Sequence, residues 1–275
     1  MTNFKDVYII TDMDGTLINS SHKIDSENIS AINYFVENGG TFSVATGRAR
    51  EGIVNFVDTL NINGHCIVTN GAVIYDSNKD EICESGSLDT GILLPFIQRQ
   101  IDKFPGLCLQ MYTDKGLYVA SNTKSIDEYI VREKVAHVLC DMFDMADLTW
   151  NKMLFHSAVK SELMEIERLA KEEFAGIFEV NYSSEFYFEI IPAGFTKGDS
   201  LNRLRKIDKY KGKKFIAMGD HQNDVRMLEE ADFAICPTNA KAEAKAVCDL
   251  VADVSNDEFL LAWVIENLEN GKIEA

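Results

Sequence analysis

Val7-Tyr8-Ile9-Ile10-Thr11-Asp12-Met13-Asp14-Gly15-Thr16-Leu17 decides the fold of this 275-residue chain. The apolar run over residues 7–10 is short, rich in β-branched side chains and followed by a turn signal, the pattern of a buried strand. Two carboxylates, one residue apart, stand where that strand should stop. The glycine after them can take backbone angles that other residues avoid. An acid pair at the carboxyl end of a central strand suits a hard cation and one reactive oxygen. Taken alone, the segment also reads as a plain strand followed by an Asp/Gly turn.

Outward from this stretch the chain alternates strand and helix. Ser26 is the predicted N-cap of a helix burying Ile29, Ile32, Phe35 and Val36, with Gly39-Gly40 at its end. Thr41-Phe42-Ser43-Val44-Ala45 reads as a strand ending at Thr46-Gly47-Arg48. A helix with Ile53, Val54, Val57 and Leu60 on one face comes next. The strand Cys66-Ile67-Val68-Thr69 then ends at Asn70-Gly71. This order predicts an α/β fold with a doubly wound, Rossmann-like parallel sheet.

Between residues 88 and 188 the rhythm changes. A helix at 92–101 precedes strands at 107–112 and 116–120, a helix near 125–139 and a strand at 153–159. A helix at 162–174 and paired strands at 177–182 and 186–191 follow. Helix-strand-strand, twice over, predicts an inserted α+β domain with an antiparallel sheet. After Pro192 the alternation returns, with a helix from Thr196, a strand at 214–218 ending at Gly219-Asp220, a helix at 224–230, a strand at 233–236 and two terminal helices. Residues 1–86 and 189–275 are therefore expected to form the core, and 87–188 a cap domain inserted into it.

A hydrophobic fraction of 46% with 26% charged residues is that of a globular chain. The six cysteines are scattered without a C-x-x-C pair. Zinc and a disulfide framework are not expected; buried free thiols in a reducing cytoplasm are. Neither a secretion signal nor an apolar run of about 18 residues is visible, so no membrane partner is expected. A formal charge of −17 argues against nucleic acid. For a phosphate substrate, the site must then supply local positive charge from a divalent cation and a few bases.

The predicted strand ends carry Asp12 and Asp14, then Thr46, then Asp220; Lys197 starts a helix, and Asp224 lies four residues after Asp220. A doubly wound topology would gather these scattered groups at one rim. Each has a task in phosphoryl transfer, where catalysis is mostly positioning and charge stabilisation. Asp12 can attack phosphorus to give an acyl phosphate. Asp14 can give a proton to the leaving alkoxide and then take one from water. Thr46 can hydrogen-bond a phosphoryl oxygen while Lys197 offsets the shared negative charge. Mg²⁺ would take Asp12, Asp220 and the backbone carbonyl of Asp14 as ligands, with Asp224 and Asn223 acting through water.

Asp12-Met13-Asp14-Gly15-Thr16-Leu17, Thr46-Gly47-Arg48, Lys197 and Gly219-Asp220-His221-Gln222-Asn223-Asp224 resemble, in order and spacing, the four motifs of the haloacid dehalogenase-like phosphatases. The insertion resembles the cap of their Cof-like, class IIB branch, as do the local patterns Asn70-Gly71-Ala72 and Gly194-Phe195-Thr196-Lys197-Gly198. The resemblance spans essentially the whole chain. It implies Mg²⁺-dependent hydrolysis of a small phosphorylated metabolite, such as a sugar phosphate or phosphorylated cofactor, through a phosphoaspartate, and no dehalogenation. His221 holds a variable motif position often occupied by a small residue, and no role is assigned to it.

The expected substrate-binding set is Thr46, Gly47, Arg48, Asn70, Lys197 and Asn223. Thr46 either binds phosphate or caps the following helix, and could do both. Arg48 reaches either the substrate or an acidic surface. Asn70 orients the nucleophile loop, contacts phosphate or merely makes the turn. His156 reads as a packed sheet residue, Met142, Met145 and Met153 as core or interface filler, and Glu185-Phe186-Tyr187-Phe188-Glu189 as an alternating strand with an aromatic face. The cap turns at 113–116 and 183–185 are candidates for specificity. A phosphomutase and a non-catalytic phosphometabolite sensor are the alternative functions; a monomer or a homodimer is equally compatible with the sequence.

Overall fold

The computed structural model describes residues 3–120, 130 and 135–273. The core begins with Val7–Thr11 (β1), Ser26–Glu37 (α1), Thr41–Val44 (β2), Arg50–Leu60 (α2) and Cys66–Val68 (β3), followed by the hairpin Val73–Asp76 (β4) and Glu81–Ser85 (β5). Next come Thr90–Lys103 (α3), Cys108–Thr113 (β6), Gly116–Ala120 (β7), His137–Cys140 (β8), Trp150–His156 (β9), Lys160–Glu173 (α4), Phe178–Ser184 (β10) and Tyr187–Pro192 (β11). Lys197–Leu204 (α5), Lys214–Met218 (β12), Val225–Glu230 (α6), Phe233–Cys236 (β13), Ala242–Lys245 (α7), Leu250–Val251 (β14) and Leu260–Glu269 (α8) complete the chain.

The parallel sheet runs β14-β13-β12-β1-β2, with β1 at the heart of the molecule. Along β1, Val7 and Ile9 join one apolar cluster while Tyr8 and Ile10 join another. That split is what a strand with period-two side chains and helices on both faces requires. Ile32 and Phe35 of α1 and Val264 of α8 cover one face. Leu201 of α5 and Met227 of α6 cover the other. Beyond β2, a single bridge from Ala45 to Ile67 attaches β3, which then pairs antiparallel with β4. The α/β doubly wound core expected from the sequence is thus present, and the β4–β5 hairpin extends its edge.

The second sheet runs β10-β11-β9-β6-β7-β8 and carries α3 and α4 on one face. Met111, Met153, Phe155 and Phe188 point into that helix-covered layer. Met142 is buried there and Met145 packs against it, as core filler should. Lys152, Leu154, Tyr187 and Glu189 alternate with those residues and line the cavity on the side of the core.

Several local expectations need correction. Asp25, not Ser26, is the N-cap of α1; its carboxylate accepts from the Asn19 side chain. Val54 is 49% exposed, because the apolar stripe that starts at Ile53 continues through positions 56, 57 and 60 and leaves 54 about 100° away. Of the helix expected over 125–139, residues 125–129 and 131–134 lie outside the described ones, whereas His137–Cys140 is a strand paired in parallel with β7. Val135, Val138 and Leu139 mimic helical spacing, and pairing with β7 overrides it. Cys66, Cys108 and Cys236 are buried, but Cys83 is exposed and Cys140 and Cys248 are half-buried; all six are free. The two-residue strand β14 separates the two terminal helices and is too short to carry a pattern. No described helix is long and apolar enough to cross a membrane.

Candidate active site

Parallel pairing runs one residue past β1, where the Asp12 N–H donates to the Met218 carbonyl at 2.8 Å. The Asp12 carboxylate therefore stands at the sheet rim, 5% exposed. The chain then turns tightly, with the Leu17 and Ile18 N–H groups donating to the Met13 carbonyl at 3.0 and 2.7 Å. Gly15 has φ +87°, and a Cβ there would lie 2.6 Å from Asp220 Oδ2. Only glycine fits this approach between the first and last motifs.

Lys197 arrives from the other side. Thr196 caps α5 through a reciprocal capping box with Asp199, which sets Lys197 as the first helical residue. Its buried Nζ donates to Asp12 Oδ1 at 2.6 Å and to Asp224 Oδ1 at 2.6 Å. The second Asp224 oxygen accepts from the N–H groups of Asp220 and His221, at 3.0 and 3.1 Å. The Thr16 hydroxyl donates to Asp220 Oδ1 at 2.8 Å. Asp12, Asp220 and Asp224 each offer one carboxylate oxygen, and these lie within 4.8 Å of one another.

Burial pushes the Asp12 carboxyl well above the usual range; Lys197 pulls it back, but Asp224, Asp220 and Asp14 add to the rise. Burial, with Asp224 beside it, pushes Asp220 up to about 7. For Lys197, burial alone would lower the ammonium, yet Asp12 and Asp224 hold it above its ordinary value. Three carboxylates against one ammonium leave an excess of two negative charges when all are ionised. All three clustered donors are hard oxygens, so the set fits a divalent cation such as Mg²⁺.

The remaining motif residues form a second rim. Arg48 makes a bidentate pair with Asp14, Nε to Oδ2 at 2.8 Å and Nη2 to Oδ1 at 2.6 Å. The Asp14 side chain is half-exposed and stays outside the three-acid cluster. Thr46 Oγ1 accepts the Arg48 N–H at 3.1 Å. It does not cap α2, whose N-cap is Ala49. Thr69, read above as the last strand residue, instead opens a turn in which Thr69, Asn70 and Gly71 have φ of 57°, 58° and 107°. The Asn70 N–H donates to the Thr46 carbonyl at 2.9 Å, while Asn70 Oδ1 accepts from Asn223 Nδ2 at 2.9 Å. Asn70 and Asn223 thus tie the second motif to the last one.

A profile of the haloacid dehalogenase-like hydrolases matches residues 9–263. The chain belongs to that family. It is 27% identical to the Bacillus subtilis protein named 5-amino-6-(5-phospho-D-ribitylamino)uracil phosphatase YwtE, covering 96% of this chain and 98% of that one. A solved haloacid dehalogenase-like hydrolase from Bacteroides thetaiotaomicron is 26% identical with a TM-score of 0.81, covering 96% of this chain and 100% of that one. The fold is also that of a HAD subclass IIB sugar phosphatase, at a TM-score of 0.81 and 18% identity, over 96% and 99% of the two chains.

In this haloacid dehalogenase-like hydrolase the two sheets enclose a cavity of about 270 Å³ at the acidic rim. Asp12, Asp14 and Arg48 line it from the core, and Lys152, Leu154 and Tyr187 from the second sheet. Of the turns expected to set specificity, Ser183 and Ser184 line this cavity, while Thr113, Asp114 and Gly116 line a separate small hollow beside Ala49 and Arg50. His221 lines the main cavity; burial lowers its imidazole below the ordinary value. His156 is half-buried against the Tyr187 ring, with centroids 5.4 Å apart, as a packed sheet residue.

Two polar residues of the site were missed by sequence reasoning. Lys152 Nζ lies 2.8 Å from the Gly47 carbonyl, 3.2 Å from Glu189 Oε1 and 4.2 Å from the centre of the Tyr112 ring. The other Glu189 oxygen accepts from Asn70 Nδ2. Burial lowers the Lys152 ammonium, with Glu189 opposing. A signal was available. Each is a lone charge at a period-two position opposite helix-packed neighbours, but the strand was read from Met153 and so left Lys152 outside it.

Proposed function

We propose that this chain is a Mg²⁺-dependent phosphatase that hydrolyses a small phosphorylated metabolite, a sugar phosphate or a phosphorylated cofactor, through a phosphoaspartate on Asp12. The observation that carries this reading is the buried Asp12 carboxylate, held at 2.6 Å by Lys197 beside two further carboxylates and open to a cavity it shares with Asp14. Its membership of the family and the phosphatase names of similar proteins support it.

Held by the carboxylates of Asp12 and Asp220 and the backbone carbonyl of Asp14, Mg²⁺ would offset the charge of the acids and of an incoming phosphate. Asp224, whose oxygens already accept from Lys197 and from the Asp220 and His221 N–H groups, would act through water. Asp12 attacks phosphorus, and the ester oxygen departs with the phosphorus–oxygen bond electrons and a proton from Asp14. Asp14 then takes a proton from a water that attacks the aspartyl phosphate, releasing inorganic phosphate and restoring Asp12. Lys197 stays charged beside Asp12 and compensates the phosphoryl oxygens, and the Thr46 hydroxyl donates to one of them. Gly47, Arg48, Asn70 and Asn223 complete the phosphate-side rim. In this reading the parallel-sheet core performs the chemistry and the inserted domain covers the leaving group and excludes bulk water. The boundary expected at 188/189 falls instead after Pro192, because all of β11 pairs within the second sheet.

Phosphate release from p-nitrophenyl phosphate and a panel of phosphorylated metabolites is the test. Asp12→Asn is expected to lower turnover roughly 10⁴-fold or more while leaving the circular dichroism spectrum unchanged. EDTA should silence the wild type and Mg²⁺ restore it. A folded Asp12→Asn protein with near-wild-type turnover would overturn the nucleophile. Return of the phosphoryl group to sugar, without release of inorganic phosphate, would mark a mutase.

A further inference from the structure

A buried ion pair of the cap sheet reaches the core rim. Lys152 on β9 and Glu189 on β11 are both 1% exposed, and both reach across to the core. Through Nζ, Lys152 holds the carbonyl of the Gly47–Arg48 peptide, and the N–H of that same peptide donates to Thr46 Oγ1. Glu189 holds the Asn70 amide, and Asn70 in turn receives Asn223 from the loop that carries Asp220 and Asp224. Thr69 and Asn70 sit in the left-handed region, which a threonine enters at a cost and keeps only when its surroundings determine it.

We propose that Lys152 and Glu189 are positioning residues of the phosphatase reaction. Lys152 fixes the Gly47–Arg48 peptide plane so that the Thr46 hydroxyl, already accepting one hydrogen bond, presents its proton to the phosphoryl oxygen. Glu189 fixes the side chain of Asn70 and, through it, Asn223. The two charges cancel each other, so the pair offers little net attraction to an anion and acts through geometry. The proposal rests on the phosphatase reading above.

A double-mutant cycle between Lys152→Met and Thr46→Val tests it, with turnover of p-nitrophenyl phosphate as the readout. In the wild-type background Lys152→Met should lower kcat by about 10²-fold, the size expected when a reacting group is displaced by a change outside it. KM should stay within about 3-fold, since a uniform binding contact is not what is lost. In the Thr46→Val background the same substitution should cost less than about 3-fold, because the hydroxyl it positions is already gone. Equal losses in both backgrounds, or a change confined to KM, would overturn the proposal and leave Lys152 as packing or direct substrate contact. Lys152→Met/Glu189→Gln removes both buried charges together and carries the same cycle if the single variant does not fold. Failure of the underlying phosphatase reading is separately visible, as absence of turnover in the wild type or its persistence in Asp12→Asn.

Discussion

Two lysines, one on each side of the cavity, are almost wholly buried, and their surroundings set them apart. Lys197 at the core rim bridges two carboxylates, which hold its charge more firmly than water would. Lys152 on the cap face has one carboxylate, a carbonyl and an aromatic ring, and burial wins over them. Desolvation weighs on both; the count of nearby anions decides the outcome. The core rim is thus an acid-rich site whose excess negative charge invites a divalent cation. The cap face is charge-balanced and holds geometry.

The largest expected consequence of that contrast is at Lys197. Lys197→Met leaves three clustered carboxylates without their ammonium. Denaturant unfolding at pH 8 in EDTA should show a loss of about 3–5 kcal/mol, the range for breaking a buried pair from one side. Turnover with Mg²⁺ should fall at least about 10²-fold as a stabiliser of transferring charge disappears. A smaller loss of stability than Lys152→Met produces would contradict the ranking of the two environments.

Next in size is a pH effect confined to the core rim. Burial first, then Asp224, raises Asp220 to about 7, far above the value of an unfolded aspartate. Between the two values the folded chain holds the extra proton. The stabilising contribution of this group is therefore complete below the unfolded value and is lost as pH rises through about 7. Thermal melts in EDTA should show a lower midpoint at pH 8 than at pH 6. Saturating Mg²⁺ should raise the midpoint more at pH 8, since it competes with the proton for the same oxygens. An equal Mg²⁺ increment at both pH values would remove Asp220 from the cation site.

The smallest effect is expected at Asp14–Arg48, whose acid is half in solvent. Arg48→Ala should change stability by only about 1 kcal/mol or less, as exposed pairs do. The comparison would need redrawing if calorimetry gave a loss as large as that of Lys197→Met.

How much of this was legible differs between the same two regions. Asp12, Asp220 and Asp224 could be placed from one string because each follows a local cue, a strand end or a Gly-Asp turn. A helix-start lysine such as Lys197 reads by position as solvated and is singled out only by the resemblance to the family's motifs. Those cues act over a few residues, and the parallel topology then brings them together. Val54 and the helix expected near 125–139 failed for the complementary reason. Spacing suggested a face, but neighbouring elements chose another conformation or another direction. Lys152 and Glu189 carried the faintest trace, a single charge in each of two apolar strands.

The amino-acid string determined the layered fold and named the residues suited to phosphate chemistry, because period, turn and capping preferences are local and survive without partners and because the motifs resemble those of a known family. It left open where a side chain ends up once a second sheet closes over the first. Asp14 turned toward Arg48, Thr46 gave up helix capping to receive the Arg48 N–H, and a cap lysine reached Gly47 in the core. Those outcomes depend on partners 34 to 105 residues away for Asp14 and Lys152, the Arg48 guanidinium for one and the Gly47 carbonyl for the other, and on how desolvation is shared among them. Distances of that kind exist only after the chain has folded.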